Sequence, residues 1–118
     1  MLNKAQVIGN LGAEPKITTV NNGQTKIASF SVATTEKGYT LPNGTQVPDK
    51  TEWHNVVCFG KVAENVERYL KKGSKVYVEG KIKTRSYDKQ VGSYSVKMSV
   101  TEIHVENIEY LDSKPQQQ

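Results

Sequence analysis

The sequence predicts an all-β domain, a small five-stranded barrel interrupted by a single helix. Three observations predict it. β-branched and aromatic residues alternate with other residues through most of the chain, the period that sends neighbouring side chains to opposite faces of a strand. Only one segment, after Gly60, carries an apolar stripe at helical spacing. The chain has 118 residues, enough for one domain with one modest core.

The elements follow in order. Lys4 to Asn10 is a short strand carrying Val7 and Ile8, and Lys16 to Val20 is a second stretch. Asn21-Asn22-Gly23 marks a tight turn, because Asn and Gly tolerate positive φ. Lys26 to Thr35 is a β-branched strand. Glu36 to Lys50 contains Gly38, Pro42, Asn43, Gly44 and Pro48, and reads as a long loop or flexible hairpin with Tyr39 near its start. Thr51 to Lys61 reads as a strand with Trp53, Asn55, Val57 and Phe59 on one face. Lys61 to Lys72 reads as the helix. Its stripe is Val62, Val66, Tyr69 and Leu70, which assigns Tyr69 to the core. Lys71 and Lys72 suit its C-terminus and Gly73 its end.

Strands then resume. Lys75 to Arg85 places Val76, Val78, Gly80 and Ile82 on one face and Lys75, Tyr77, Glu79, Lys81, Lys83 and Arg85 on the other. Asp88 to Ser93 reads as a hairpin tip, Tyr94 to Glu106 as a long strand, and Ile108 to Leu111 as its extension. One domain over 1–111 is expected, followed by a disordered polar tail over 112–118. Three strand regions, a helix between the third and fourth strands and two more strand regions make the order of the oligonucleotide-binding (OB) fold, a Greek-key barrel. Its ligand face is built on the second and third strands, flanked by the loops that join strands one to two and four to five.

Composition narrows the function. No apolar run reaches the ~18 residues of a membrane span, and the N-terminus lacks the apolar stretch of a signal peptide. Cys58 stands alone, so it forms no internal disulfide and builds no metal site; it reads as a small buried hydrophobe. A cytoplasmic protein without metal or cofactor is the expectation. The net charge is +4. From Lys61 to Lys89 nine basic residues stand against four acidic ones, a net +5, so the remainder of the chain sums to −1. Positive charge gathered beside an aromatic strand is what a polyanion partner requires, although a charge run alone is more often a solvated surface. Spacing leaves Trp53 and Phe59 open to two readings, ordinary core or a platform on which flat ligands stack, and leans towards core.

Several motifs in fixed order carry a resemblance. They are Asn3-Lys4 through Val7-Ile8-Gly9-Asn10-Leu11-Gly12, Glu14-Pro15, Thr51-Glu52-Trp53-His54, Val56-Val57 and Phe59-Gly60-Lys61. After them come Tyr69-Leu70-Lys71-Lys72-Gly73-Ser74, Val76-Tyr77-Val78-Glu79-Gly80 and Thr84-Arg85. Together, over about residues 3 to 105, the chain resembles the bacterial single-stranded DNA-binding (SSB) proteins. That resemblance implies an OB-fold homotetramer that binds single-stranded DNA without sequence preference, in the cytoplasm at the nucleoid, during replication, recombination and repair. It assigns base stacking to Tyr39, Trp53, Phe59 and Tyr87, with tyrosine at 39 and 87 where familiar members carry tryptophan. It assigns phosphate contacts to Lys61, Lys72, Lys83 and Arg85, with Lys4 a weaker candidate, and puts His54 at a subunit interface. Asn55 and Ser86 stand where familiar members are basic, which implies a shallower salt dependence. Typical members end in an acidic, Phe-terminated tip that recruits other proteins. This sequence ends Pro115-Gln116-Gln117-Gln118, either a shortened chain or a short family member, and recruitment through such a tip is not expected for the chain as given.

Two rivals remain. One is an interaction protein of the primosome type on the same fold, binding DNA weakly. The other is an enzyme such as a nuclease, which needs clustered carboxylates or an activated nucleophile; neither is evident, nor is a Gly-rich phosphate loop. Glu102, Glu106, Glu109 and Asp112 form an acidic stretch with His104, read as solvated strand surface or a contact between subunits. Tyr77 reads as surface or interface.

Overall fold

The computed structural model describes residues 1–112. The expected tail therefore falls, from residue 113 onward, outside the described residues. The strands are β1 (Ala5–Leu11), β2 (Lys16–Val20), β3 (Thr25–Glu36), β4 (Tyr39–Thr40), β5 (Gln46–Val47), β6 (Lys50–Phe59), β7 (Lys75–Val91) and β8 (Tyr94–Tyr110). The helix α1 (Lys61–Tyr69) lies between β6 and β7. The sheet runs β1-β7-β8-β6-β3-β2, and a further pairing of β1 with β3 closes it. The closed barrel is thus β1, β7, β8, β6 and β3, with β2 an extra strand on β3. This is the five-stranded barrel with one helix that the sequence predicts.

Closure depends on close backbone approach. β1 pairs with β7 over Ala5 to Asn10 and reaches β3 only at Asn10 and Leu11. A Cβ at Gly9 would collide with the Ala33 carbonyl, so only glycine lets the two strands cross here. The β2–β3 turn takes its predicted form, with positive φ at Asn21, Asn22 and Gly23. Val32, Val56, Val66, Val76 and Val78 are fully buried and Phe30 nearly so; together they form the heart of the core. Cys58 lies among them, and burial pushes its thiol up to about 11, which leaves it inert at neutral pH.

Three expectations are corrected. The helix stops at Tyr69 rather than Lys72, and Leu70 is already extended. Its would-be continuation has other partners: the Lys71 N–H donates to Ser74 Oγ, the Lys72 N–H to Glu14 Oε2 and the Gly73 N–H to the Leu11 carbonyl. Tyr69 is exposed, not core; its ring rests 5.7 Å from that of Tyr110, and Ala63 and Val66 are the residues the helix buries. Ile82 keeps the expected face with Val76 and Val78; it is exposed there because pairing with β1 ends at Gly80 and β7 runs on past the barrel. The hairpin tip is shorter than expected. Pairing continues to Val91 opposite Tyr94, so Asp88 to Val91 are strand and only Gly92 and Ser93 turn.

Candidate nucleic-acid interface

The site is the outer surface of β6. Its inward residues Val56 and Cys58 are core, and alternation turns Trp53, Asn55, Val57 and Phe59 outward. Trp53 is 59% exposed and Phe59 47% exposed. The core reading of these two rings therefore fails, although burying them would be worth about 1.5–3 kcal/mol for an aromatic of Phe size. Val57, between them, is covered.

A groove of about 480 Å³ lies against this surface. Trp53, Asn55 and Val57 of β6 line it, with Ser29 and Ser31 of β3, Arg85 of β7, and Val100 and Glu102 of β8. The segment Gly12 to Glu14, leaving β1, forms a further wall. A Cβ at Gly12 would overlap the Trp53 ring, so glycine lets the indole lie against the backbone there. Lys72 is tied to the same rim through its N–H bond of 2.7 Å to Glu14 Oε2.

Phe59 stands at the far end of β6. Six residues at about 3.3 Å each separate it from Trp53 by roughly 20 Å. Its ring lies 5.5 Å from the His104 ring, tilted by 48°. Lys61 follows two residues later, exposed at the start of α1.

The other stacking candidates sit on projections. Tyr39 belongs to the small β4–β5 hairpin, where it lines a hollow of about 540 Å³ with Lys37 and Lys50. Tyr87 is on the ribbon that β7 and β8 make beyond the barrel. Arg85, Tyr87, Lys89 and Val91 alternate onto one face of that ribbon, opposite Val100, Met98, Val96 and Tyr94. Arg85 and Val100 of this face also line the groove, so ribbon and groove are continuous. The Arg85 guanidinium carbon lies 5.9 Å from the Tyr87 ring centre. Lys83 is exposed two residues before Arg85 on the same face.

The structure places two candidates elsewhere. Lys4 is bound to Glu79 at 2.6 Å across β1 and β7, on the outer surface where Gln6 donates to the Tyr77 hydroxyl. The hydrogen bond to Glu79 raises the Lys4 pKa, and the bond to Lys4 lowers that of Glu79. Lys4 does not line the groove. His54 faces away from Trp53, half-buried, with Nε2 2.8 Å from Thr34 Oγ1.

Glu102 is the residue the sequence reading misplaced. It is not solvated surface. It is 6% exposed on the groove floor, accepting from Arg85 Nε at 3.1 Å and lying 3.4 Å from His104 Nε2. Among the described residues no group of three or more His, Cys, Asp or Glu side chains is placed to hold a metal ion. No helix among them is long and apolar enough to cross a membrane.

Known proteins resemble this chain in sequence and in fold. A single-stranded DNA-binding protein of Bacteroides thetaiotaomicron is 48% identical over 113 residues, covering 96% of this chain and 68% of the relative. Single-stranded DNA-binding protein 1 of Xylella fastidiosa is 43% identical over 113 residues, covering 96% of this chain and 79% of the relative. Among solved structures, the Plasmodium falciparum SSB in complex with ssDNA superposes with a TM-score of 0.76 at 33% identity, over 95% of this chain and 96% of that one. Residues 2–111 match the single-strand binding protein family as a whole. The chain belongs to the single-strand binding protein family.

Proposed function

We propose that this protein coats single-stranded DNA without reading its sequence, protecting it during replication, recombination and repair. It is a binding protein and not an enzyme, as its family is. One observation carries the reading: β6 leaves two large aromatic rings in solvent on the face opposite the core, and Arg85 of β7 lines the same groove as Trp53. Single strands offer flat base faces and phosphates; a duplex hides the former. Rings supply sequence-tolerant stacking of about 1–3 kcal/mol per base, and cations supply counterion release. Trp53, Phe59, Tyr39 and Tyr87 take the bases. Lys61, Lys72, Lys83 and Arg85 take phosphates, with Lys4, held by Glu79, the weakest of the set.

The family's homotetramer belongs to the same proposal. The outer surface of β1 and β7 supports it, where exposed Ile8 lies beside the Lys4–Glu79 and Gln6–Tyr77 pairs. His54 is assigned to a subunit contact. A cytoplasmic, nucleoid-associated location follows from this activity.

The test is Trp53 fluorescence, the only tryptophan signal in the chain. Oligo(dT) should quench it strongly and duplex DNA of equal length should not, at low and high salt. Equal, salt-sensitive responses to both DNAs would refute stacking on Trp53. In the same assay Lys72→Ala should flatten the plot of log K against log salt by about 0.7, one phosphate contact. An unaltered slope would put Lys72 outside the track.

A further inference from the structure

A buried carboxylate on the floor of a groove that receives a polyanion is electrostatically out of place. Glu102 is the only charged side chain buried among the described residues. Its two oxygens are engaged separately. Oε2 accepts from Arg85 Nε and Oε1 faces His104 Nε2. Both partners lead to the DNA-binding elements. Anchoring Arg85 through Nε leaves its terminal Nη groups unclaimed, since no acceptor among the described residues meets them, and its side chain is 62% exposed. That is the fork geometry which grips a phosphate in bidentate fashion, held next to the Tyr87 ring. On the other side the His104 ring backs that of Phe59. One carboxylate therefore ties a phosphate clamp on β7 to a stacking platform on β6, across β8.

We infer that Glu102 is a positioning residue for single-stranded DNA binding: it aims the free end of the Arg85 guanidinium at the backbone and steadies Phe59 through His104. The inference rests on the proposed function. It makes a prediction opposite in sign to simple electrostatics. Deleting a negative charge from a polyanion site ordinarily tightens binding. If Glu102 positions Arg85, deletion weakens it, because an unanchored arginine must be ordered at the moment of binding.

The experiment measures oligo(dT) affinity as a function of salt for the wild-type chain, Arg85→Ala, Glu102→Ala and the double variant, with Glu102→Gln as the isosteric control. We expect Glu102→Ala to lower affinity about tenfold, the size of one charge-assisted hydrogen bond. Its salt slope should fall by about 0.7, towards that of Arg85→Ala. The double variant should lose clearly less than the product of the two single losses, the non-additivity expected of coupled residues. Glu102→Gln keeps one acceptor for two donors and should fall between. An affinity of Glu102→Ala equal to or above wild type overturns the inference, as does a double variant whose losses multiply. Should Glu102→Ala fail to fold, Glu102→Gln decides alone: affinity at or above wild type overturns it. The two levels separate cleanly. Wild-type protein that ignores oligo(dT) refutes the proposed function and this inference with it. Wild type that binds, with Arg85→Ala weakened and Glu102→Ala not, refutes only the role of Glu102.

Discussion

Trp53→Ala will lower affinity for oligo(dT) about 5- to 150-fold, the equivalent of one base stack, and will leave the fold intact. The side chain is mostly in solvent, so its removal opens no cavity. The core contacts of β6 come from Val56 and Cys58 on the other face, and these are untouched. Surface substitutions of this kind usually stay within about 0.5 kcal/mol of wild-type stability. Binding is another matter. Trp53 lines the groove wall, its ring against Gly12, and no other aromatic lines that groove besides the buried Phe30. Stacking releases no counterions. The variant should therefore run parallel to wild type on a plot of log K against log salt, displaced but with the same slope. That separates it from Lys72→Ala, whose effect is in the slope. Unchanged affinity in a folded Trp53→Ala protein would remove the indole from the site.

What the sequence revealed, and what it hid, follows from how local each signal is. Alternation along β6 is a property of consecutive residues, so it identified Trp53, Asn55, Val57 and Phe59 as one face without any knowledge of the sheet. It did not say which face was inside. The motifs running from Asn3 to Arg85 resolved that, and the exposure of both rings agrees with it. Glu102 escaped because its environment is made by register. It stands opposite Asn55 of β6 in parallel pairing and opposite Lys83 of β7 in antiparallel pairing, and neither alignment is written in the residues around it. A carboxylate beside His104 on a strand near acidic neighbours reads as surface until those pairings are known. The end of α1 was hidden for a similar reason. Glu14, Ser74 and Leu11, which take the amides of Lys71, Lys72 and Gly73, are up to 62 residues away in sequence, and they outcompete one more helical turn. Alternation put Ile82 on the face of Val76 and Val78 but does not say where the barrel ends, which the length of β1 decides.

The largest effect on stability should come from the other phenylalanine. Phe30 and Phe59 are the only two in the chain, and they divide its physics between them. Phe30 on β3 is buried, opposite Val56 of β6, within the cluster that includes Val32, Val66 and Val78. Phe59 ends β6 in solvent. Phe30→Ala removes the one packed ring from a core otherwise built of aliphatic residues and Cys58, which have little reach to fill the space. The expected cost is about 3–5 kcal/mol, a large part of the 5–15 kcal/mol that holds a domain of this size together. The melting midpoint should drop by more than about 10 °C. Phe59→Ala should melt within a few degrees of wild type and instead lose affinity for oligo(dT). Both must be compared at one protein concentration, because subunit association would raise the midpoint by mass action. Wild-type melting for Phe30→Ala would place the core elsewhere than between β3 and β6. A large melting loss for Phe59→Ala would return its ring to the interior and leave Trp53 as the only exposed aromatic on that strand, which would shorten the proposed DNA track by the whole length of β6.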